Sequence, residues 1–234
     1  MKIDFCLSKR YIISMKTYKR IIAILFFLTG FSVLSFGETF YGFSNGLYRS
    51  SDIYFEEDFG REQNGLSTDF FFYYFPGKSF IGVFAQTSIG TLYSGYEWND
   101  DDMVSQDIET AWNGRLFIAP SFKIQLGQKI RFPISVGPVF SIYREESWST
   151  RNSGKKGFYE ALSMGVMADA AMVFNPSRWF FLKHGVSVSW DFLRLERGEM
   201  MSEYRDTRSN RFQGVQYSAV LAAIYIGVGI RFAQ

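Results

Sequence analysis

Two faces of opposite chemistry run down the last thirteen residues of the chain, AAIYIGVGIRFAQ. Gly227 and Gly229, two apart, rule against a helix, since each costs about 1 kcal/mol relative to Ala in a helix interior. With period two, Ala222, Ile224, Ile226, Val228, Ile230 and Phe232 fall on one side. Ala223, Tyr225, Gly227, Gly229 and Arg231 fall on the other. This is the pattern of a strand that divides two different environments.

The same alternation recurs along the chain. Phe180, Leu182, His184, Val186, Val188, Trp190 and Phe192 oppose Lys183, Gly185, Ser187, Ser189 and Asp191. Comparable faces are read in 115–126, 130–143 and 161–174, whereas 66–75 and 79–94 alternate imperfectly and 39–48 is weakest. Tight turn signals at Phe75-Pro76-Gly77-Lys78, Gly127-Gln128 and Asn175-Pro176-Ser177-Arg178 interleave with polar links at roughly 49–65, 95–112, 146–157 and 196–212. Short and long connections in strict succession predict eight antiparallel strands with both ends on the short-turn side. That is the plan of an up-and-down transmembrane β-barrel.

A soluble barrel that encloses a ligand would turn the apolar face inward and the other face to water. Here that other face is mostly Gly, Ser and Ala, too small for a solvated surface but suited to a crowded interior. Aromatics make up 19% of the residues, with 26 Phe and 14 Tyr, a strand-forming composition. Trp98, Trp112 and Trp148 stand near predicted loop ends and Trp179 beside a turn, as expected of interfacial girdles. Pro120 and Pro138 fall in mid-strand, and local bulges are expected there.

The first 37 residues read as a signal peptide, with the true start possible at Met15. Lys16, Lys19 and Arg20 precede the apolar run Ile21–Leu34, and Ser35 and Gly37 supply small residues for cleavage before Glu38. The run is short for a spanning helix, which needs about 20 residues. Residues 38–234 then form one barrel domain without cysteine, because Cys6 lies in the removed part. Six of the basic residues are in 1–37 with a single acid, Asp4. The remainder carries nineteen basic and twenty-two acidic residues, so its net charge is −3 and it offers no basic body to nucleic acid.

With this plan the chain resembles small bacterial outer-membrane barrels of the OmpA-transmembrane, OmpX and OmpW type. Its aromatic-rich style also resembles small spirochaetal barrels. The resemblance implies a bacterial outer-membrane location with both termini periplasmic, contact with outer-membrane lipid, and recognition by the barrel-assembly machinery. Such proteins commonly end in a strand that closes on Phe; here Phe232 is followed by Ala233 and Gln234.

Projected inward, the alternation places Asp69, Arg115, Lys123, Arg131, Glu145, Asp169, Lys183, Asp191 and Arg231 in the lumen. Eight strands leave an interior that side chains can fill. Near-balanced charges there are expected to pair with one another, and a narrow polar lumen is the alternative. No catalytic, cofactor or metal motif is read. One relative by resemblance is a lipid acyltransferase with a His near the outer rim, but His184 stands near the opposite turn and on the apolar face. Asn99–Asp102, with Glu97, Asp107 and Glu109 nearby, lacks the ligand spacing of a calcium loop and reads as a solvated acidic cluster. The chain is expected to act, without enzymatic activity, in surface interaction or envelope structure. Its loops are the expected contact with host or environmental ligands. A small porin-like channel for small or apolar solutes is the alternative.

Overall fold

The computed structural model describes residues 37–55, 59–98, 103–106, 108–149, 155–201 and 206–233. Its strands are β1 (Gly37–Tyr54), β2 (Phe59–Pro76), β3 (Ile81–Trp98), β4 (Met103–Gln106) and β5 (Ile108–Leu126). They continue with β6 (Ile130–Ser149), β7 (Lys155–Phe174), β8 (Phe180–Met201), β9 (Asp206–Val215) and β10 (Tyr217–Ala233). β4 pairs with the end of β3, extending that hairpin. β9 and β10 follow one another along β8 and together make one stave. Every pairing is antiparallel, and β10 pairs with β1 from Glu38↔Ala233 to Tyr54↔Tyr217. The sheet is thereby closed into an eight-stave up-and-down barrel with no open edge. Gly37 lies opposite Pro76 and Ala233 opposite Glu38, so the first and last described strands meet at the short-turn end.

Alternation sets the two faces. On β10, Ile224 and Ile226 are 56% and 68% exposed, while Tyr225 between them is 3% exposed. The outward set continues round the barrel through Leu47, Phe70, Ile118, Phe140, Val166 and Val188, all exposed. So much exposed hydrocarbon suits only an apolar solvent. From Val220 to Phe232 the strand rises about 40 Å; a tilt of about 45° makes this roughly 28 Å of thickness, the height of a membrane barrel's apolar band.

The short turns are tight, and Gly77 and Gly127 occupy them at φ 53° and 68°, a region that Gly enters without strain. The other connections differ from the sequence expectation. β1 runs on to Tyr54 and β2 starts at Phe59, so most of 49–65 is strand; the same holds for much of 95–112, 146–157 and 196–212. Above the apolar belt the outward face mixes polar residues with scattered apolar ones such as Ile53, Leu195 and Phe212, so the alternation that marks a strand fades although the ladder continues. Strands of 18 to 22 residues tilted in this way span about 40–50 Å. They therefore pass well beyond the hydrocarbon layer at the long-link end.

The expected bulges at Pro120 and Pro138 are replaced by an opened ladder. β5–β6 pairing passes from Phe117↔Val139 to Ser121↔Ser135 with register kept, so the missing proline donors are tolerated without an inserted residue. Register shifts fall instead at Asn64/Gly65, Ile108/Thr110, Met164/Gly165 and Glu196/Gly198.

Candidate functional site

The inward face is filled in tiers, beginning at the short-turn end with Glu38 on β1. Lys123 Nζ donates to its Oε2 at 2.6 Å and Arg231 Nε to its Oε1 at 2.6 Å. Arg131 Nη2 approaches Oε1 at 2.9 Å. One carboxylate thus gathers cations from β5, β6 and β10. Burial raises the strength of such charge-assisted bonds and the cost of losing a partner.

Above it lies an aromatic plug that includes Phe40, Phe71, Tyr73, Phe75, Phe84 and Phe181. Tyr73 stacks on Phe84 at 4.2 Å, and Phe40 meets Phe181 edge-on at 5.3 Å. The gap beside Phe40, Tyr73, Phe75 and Val173 has no room for a water molecule. Lys183 threads into this plug. Its Nζ makes no hydrogen bond. It lies 3.9 Å from Asp169 Oδ1 and over the rings of Phe71 (4.2 Å), Tyr225 (4.4 Å) and Phe84 (4.8 Å). A desolvated ammonium is held here by the Asp169 carboxylate together with ring quadrupoles. Asp169 is satisfied independently, accepting from Tyr225 Oη at 2.5 Å and Tyr73 Oη at 3.1 Å. Asp69 accepts from Ser44 Oγ at 3.1 Å.

A serine-rich tier follows. Arg115 donates through Nε to Ser141 Oγ at 3.4 Å and through Nη2 to Ser189 Oγ. Asp191 accepts from Ser141 and Ser163 at 3.2 and 2.9 Å. Arg115, Ser141 and Ser163 are only half-buried although they face inward.

The last tier closes the far end. Arg61 pairs with Glu145 at 2.6 Å, both side chains fully buried, and Tyr143 donates to the same carboxylate. Arg194 Nη2 donates to Tyr159 Oη at 2.7 Å; Nε lies 3.5 Å from Glu196 and Nη1 3.7 Å from Asp52. Tyr217 lies beneath the same guanidinium at 4.3 Å.

The nine charged residues projected inward from sequence are therefore distributed over all four tiers rather than gathered at one centre. Lys123, Arg131 and Arg231 meet Glu38; Asp69, Asp169 and Lys183 stand with the plug; Arg115 and Asp191 share serines; Glu145 meets Arg61. Sequence reasoning passed over Glu38, Asp52, Arg61, Arg194 and Glu196. Three of these, Asp52, Arg61 and Glu196, fall in stretches that read as links. Arg194 is inward because the inward parity on β8 changes from Asp191 to Arg194, across Leu193, which is exposed.

His184 is exposed on the outward face, opposite Ile226 and Met172. Among the described residues no cluster of His, Cys, Asp and Glu is arranged to hold a metal ion; the acidic stretch Asn99–Asp102 lies outside them.

A closed eight-stave barrel, apolar outside and packed with ion pairs and aromatic rings inside, belongs to the class of transmembrane β-barrels. No family model and no curated protein sequence matches the chain. Solved structures do share its fold. The outer membrane protein OprG from Pseudomonas aeruginosa aligns with TM-score 0.51 and 11% identity, over 86% of this chain and 98% of its own. Ail, the attachment invasion locus protein of Yersinia pestis, aligns with TM-score 0.43 and 14% identity, over 84% and 99%. The outer membrane protease OmpT from Escherichia coli aligns with TM-score 0.40 and 7% identity, over 85% and 96%. At 11% identity the likeness to OprG is one of fold.

Proposed function

We propose that the chain is a non-enzymatic integral protein of a bacterial outer membrane, closed along its axis, that acts through its long-link end in surface interaction or envelope structure. The single observation that carries this is the continuity of the interior packing. A permeating solute would have to displace the Glu38 cluster, the rings around Lys183, and the Arg61–Glu145 and Arg194–Tyr159 contacts in turn. Each disruption would strand a buried charge, a cost of several kcal/mol. Support for the long-link end as the working surface comes from the strands themselves, which rise past the apolar belt and present their links away from it. With cleavage before Glu38, the chain starts at the first cluster, and both termini lie in the periplasm beside the short turns.

The test is planar-bilayer recording on protein extracted from membranes. The closed interior predicts no discrete conductance steps at moderate voltage. Regular unitary steps would favour a small porin-like channel.

A further inference from the structure

The three described short turns are all basic. Lys78 stands between β2 and β3, Lys129 between β5 and β6, and Arg178 between β7 and β8; all three are exposed, and no turn among them contains an acid. Just inside the same mouth, Lys123, Arg131 and Arg231 share the one carboxylate of Glu38. Among the described residues of this end, six cations therefore face a single carboxylate. Two of the four opposite links are acidic in sequence, with Glu56, Glu57 and Asp58 after β1 and Asp100, Asp101 and Asp102 after β3, while 150–154 carries Arg151 and no acid and 202–205 balances Glu203 with Arg205.

The apolar belt runs up to these basic turns. Phe80, Leu126, Trp179 and Phe180 are exposed on it, so Lys78, Lys129 and Arg178 stand where hydrocarbon gives way to headgroups. The Arg178 guanidinium lies 5.0 Å from the centre of the Trp179 ring, which fixes the charge at the depth an interfacial Trp adopts. The surplus charge inside the mouth sits in a poorly screened setting, so it adds to the potential at the turns.

We propose that the short-turn end is a docking surface for anionic phospholipid headgroups, whose phosphates meet Lys78, Lys129 and Arg178. This rests on the membrane-spanning reading. Anionic lipid is favoured over zwitterionic lipid because only the former presents net negative charge to a cluster this one-sided. A basic side chain near an anionic bilayer surface is worth roughly a fivefold preference, so three in concert, partly screened, should give about tenfold or more.

Native mass spectrometry tests this on protein extracted from membranes and equilibrated in detergent with equal phosphatidylglycerol and phosphatidylcholine. Phosphatidylglycerol should be retained about tenfold over phosphatidylcholine. K78Q/K129Q/R178Q should bring that ratio near one, with an unchanged far-ultraviolet circular dichroism spectrum because all three residues are exposed. K155Q/K156Q, at the far end, should leave it intact. Equal retention by the native protein, or a preference that survives the triple substitution, overturns the proposal. So does displacement of the lipid by millimolar inorganic phosphate, which would mark a site for free phosphate. A protein that fails to enter vesicles of either lipid would instead sink the membrane reading beneath it.

Discussion

Glu38 and Lys183 are both charged and both buried, yet they sit in unlike surroundings. The Glu38 carboxylate meets Lys123, Arg131 and Arg231 and offsets one of their three charges, and no other carboxylate lies within 4 Å of these among the described residues. Glu38→Gln removes that charge and leaves cations from three strands repelling one another in a confined mouth. A loss of about 3–5 kcal/mol is expected. Lys183→Met removes a cation whose partner, Asp169, keeps two phenol donors, and the apolar replacement packs against Phe71 and Phe84. Its cost should be smaller than that of Glu38→Gln, because the carboxylate left behind keeps two hydrogen-bond donors. Reversible unfolding in lipid or detergent measures both. An equal or reversed order would mean that the short-turn cluster does not hold the mouth together.

Each strand presents one face to hydrocarbon and one to a packed interior, and a single substitution can probe the first. Ile224 is 56% exposed at mid-strand on β10. Ile224→Lys should cost about 2–4 kcal/mol in a bilayer, read by the same unfolding measurement; a harmless substitution would mean that this face is not in lipid. Legibility in the sequence follows the same division. β10, β8 and β6 stand out in the sequence because their outer faces are hydrocarbon while Gly, Ser and a few charges fill the inside. β2 was blurred because the plug puts Phe71, Tyr73 and Phe75 inward while Phe70 and Phe72 face out. The upper parts of β1, β2 and β8 were read as links because water lies outside them and polar groups inside. Hence Asp52, Arg61 and Glu196 gave no signal as interior residues. Arg194 was hidden by the shift in inward parity across Leu193. The short turns were legible throughout, since Gly77 and Gly127 meet a backbone demand that few other residues satisfy.

At the scale of the whole molecule, the fold separates three environments. These are a hydrocarbon belt around the middle, a basic rim at the short turns, and elongated strands that rise past the belt at the other end. The interior between the ends holds charge pairs and aromatic rings. All of this depends on which solvent each strand face meets, and β10 shows the contrast most cleanly. Residues 38–234 contain no cysteine, so single cysteines at chosen positions of β10 can carry a small fluorophore one at a time. In vesicles containing doxyl-labelled lipid, quenching should be strong at the even positions Ile224, Ile226, Val228 and Ile230 and weak at the half-buried odd positions Leu221 and Ala223. Quenching without this period of two, or strongest at the odd positions, would contradict a membrane barrel with its hydrocarbon face outward.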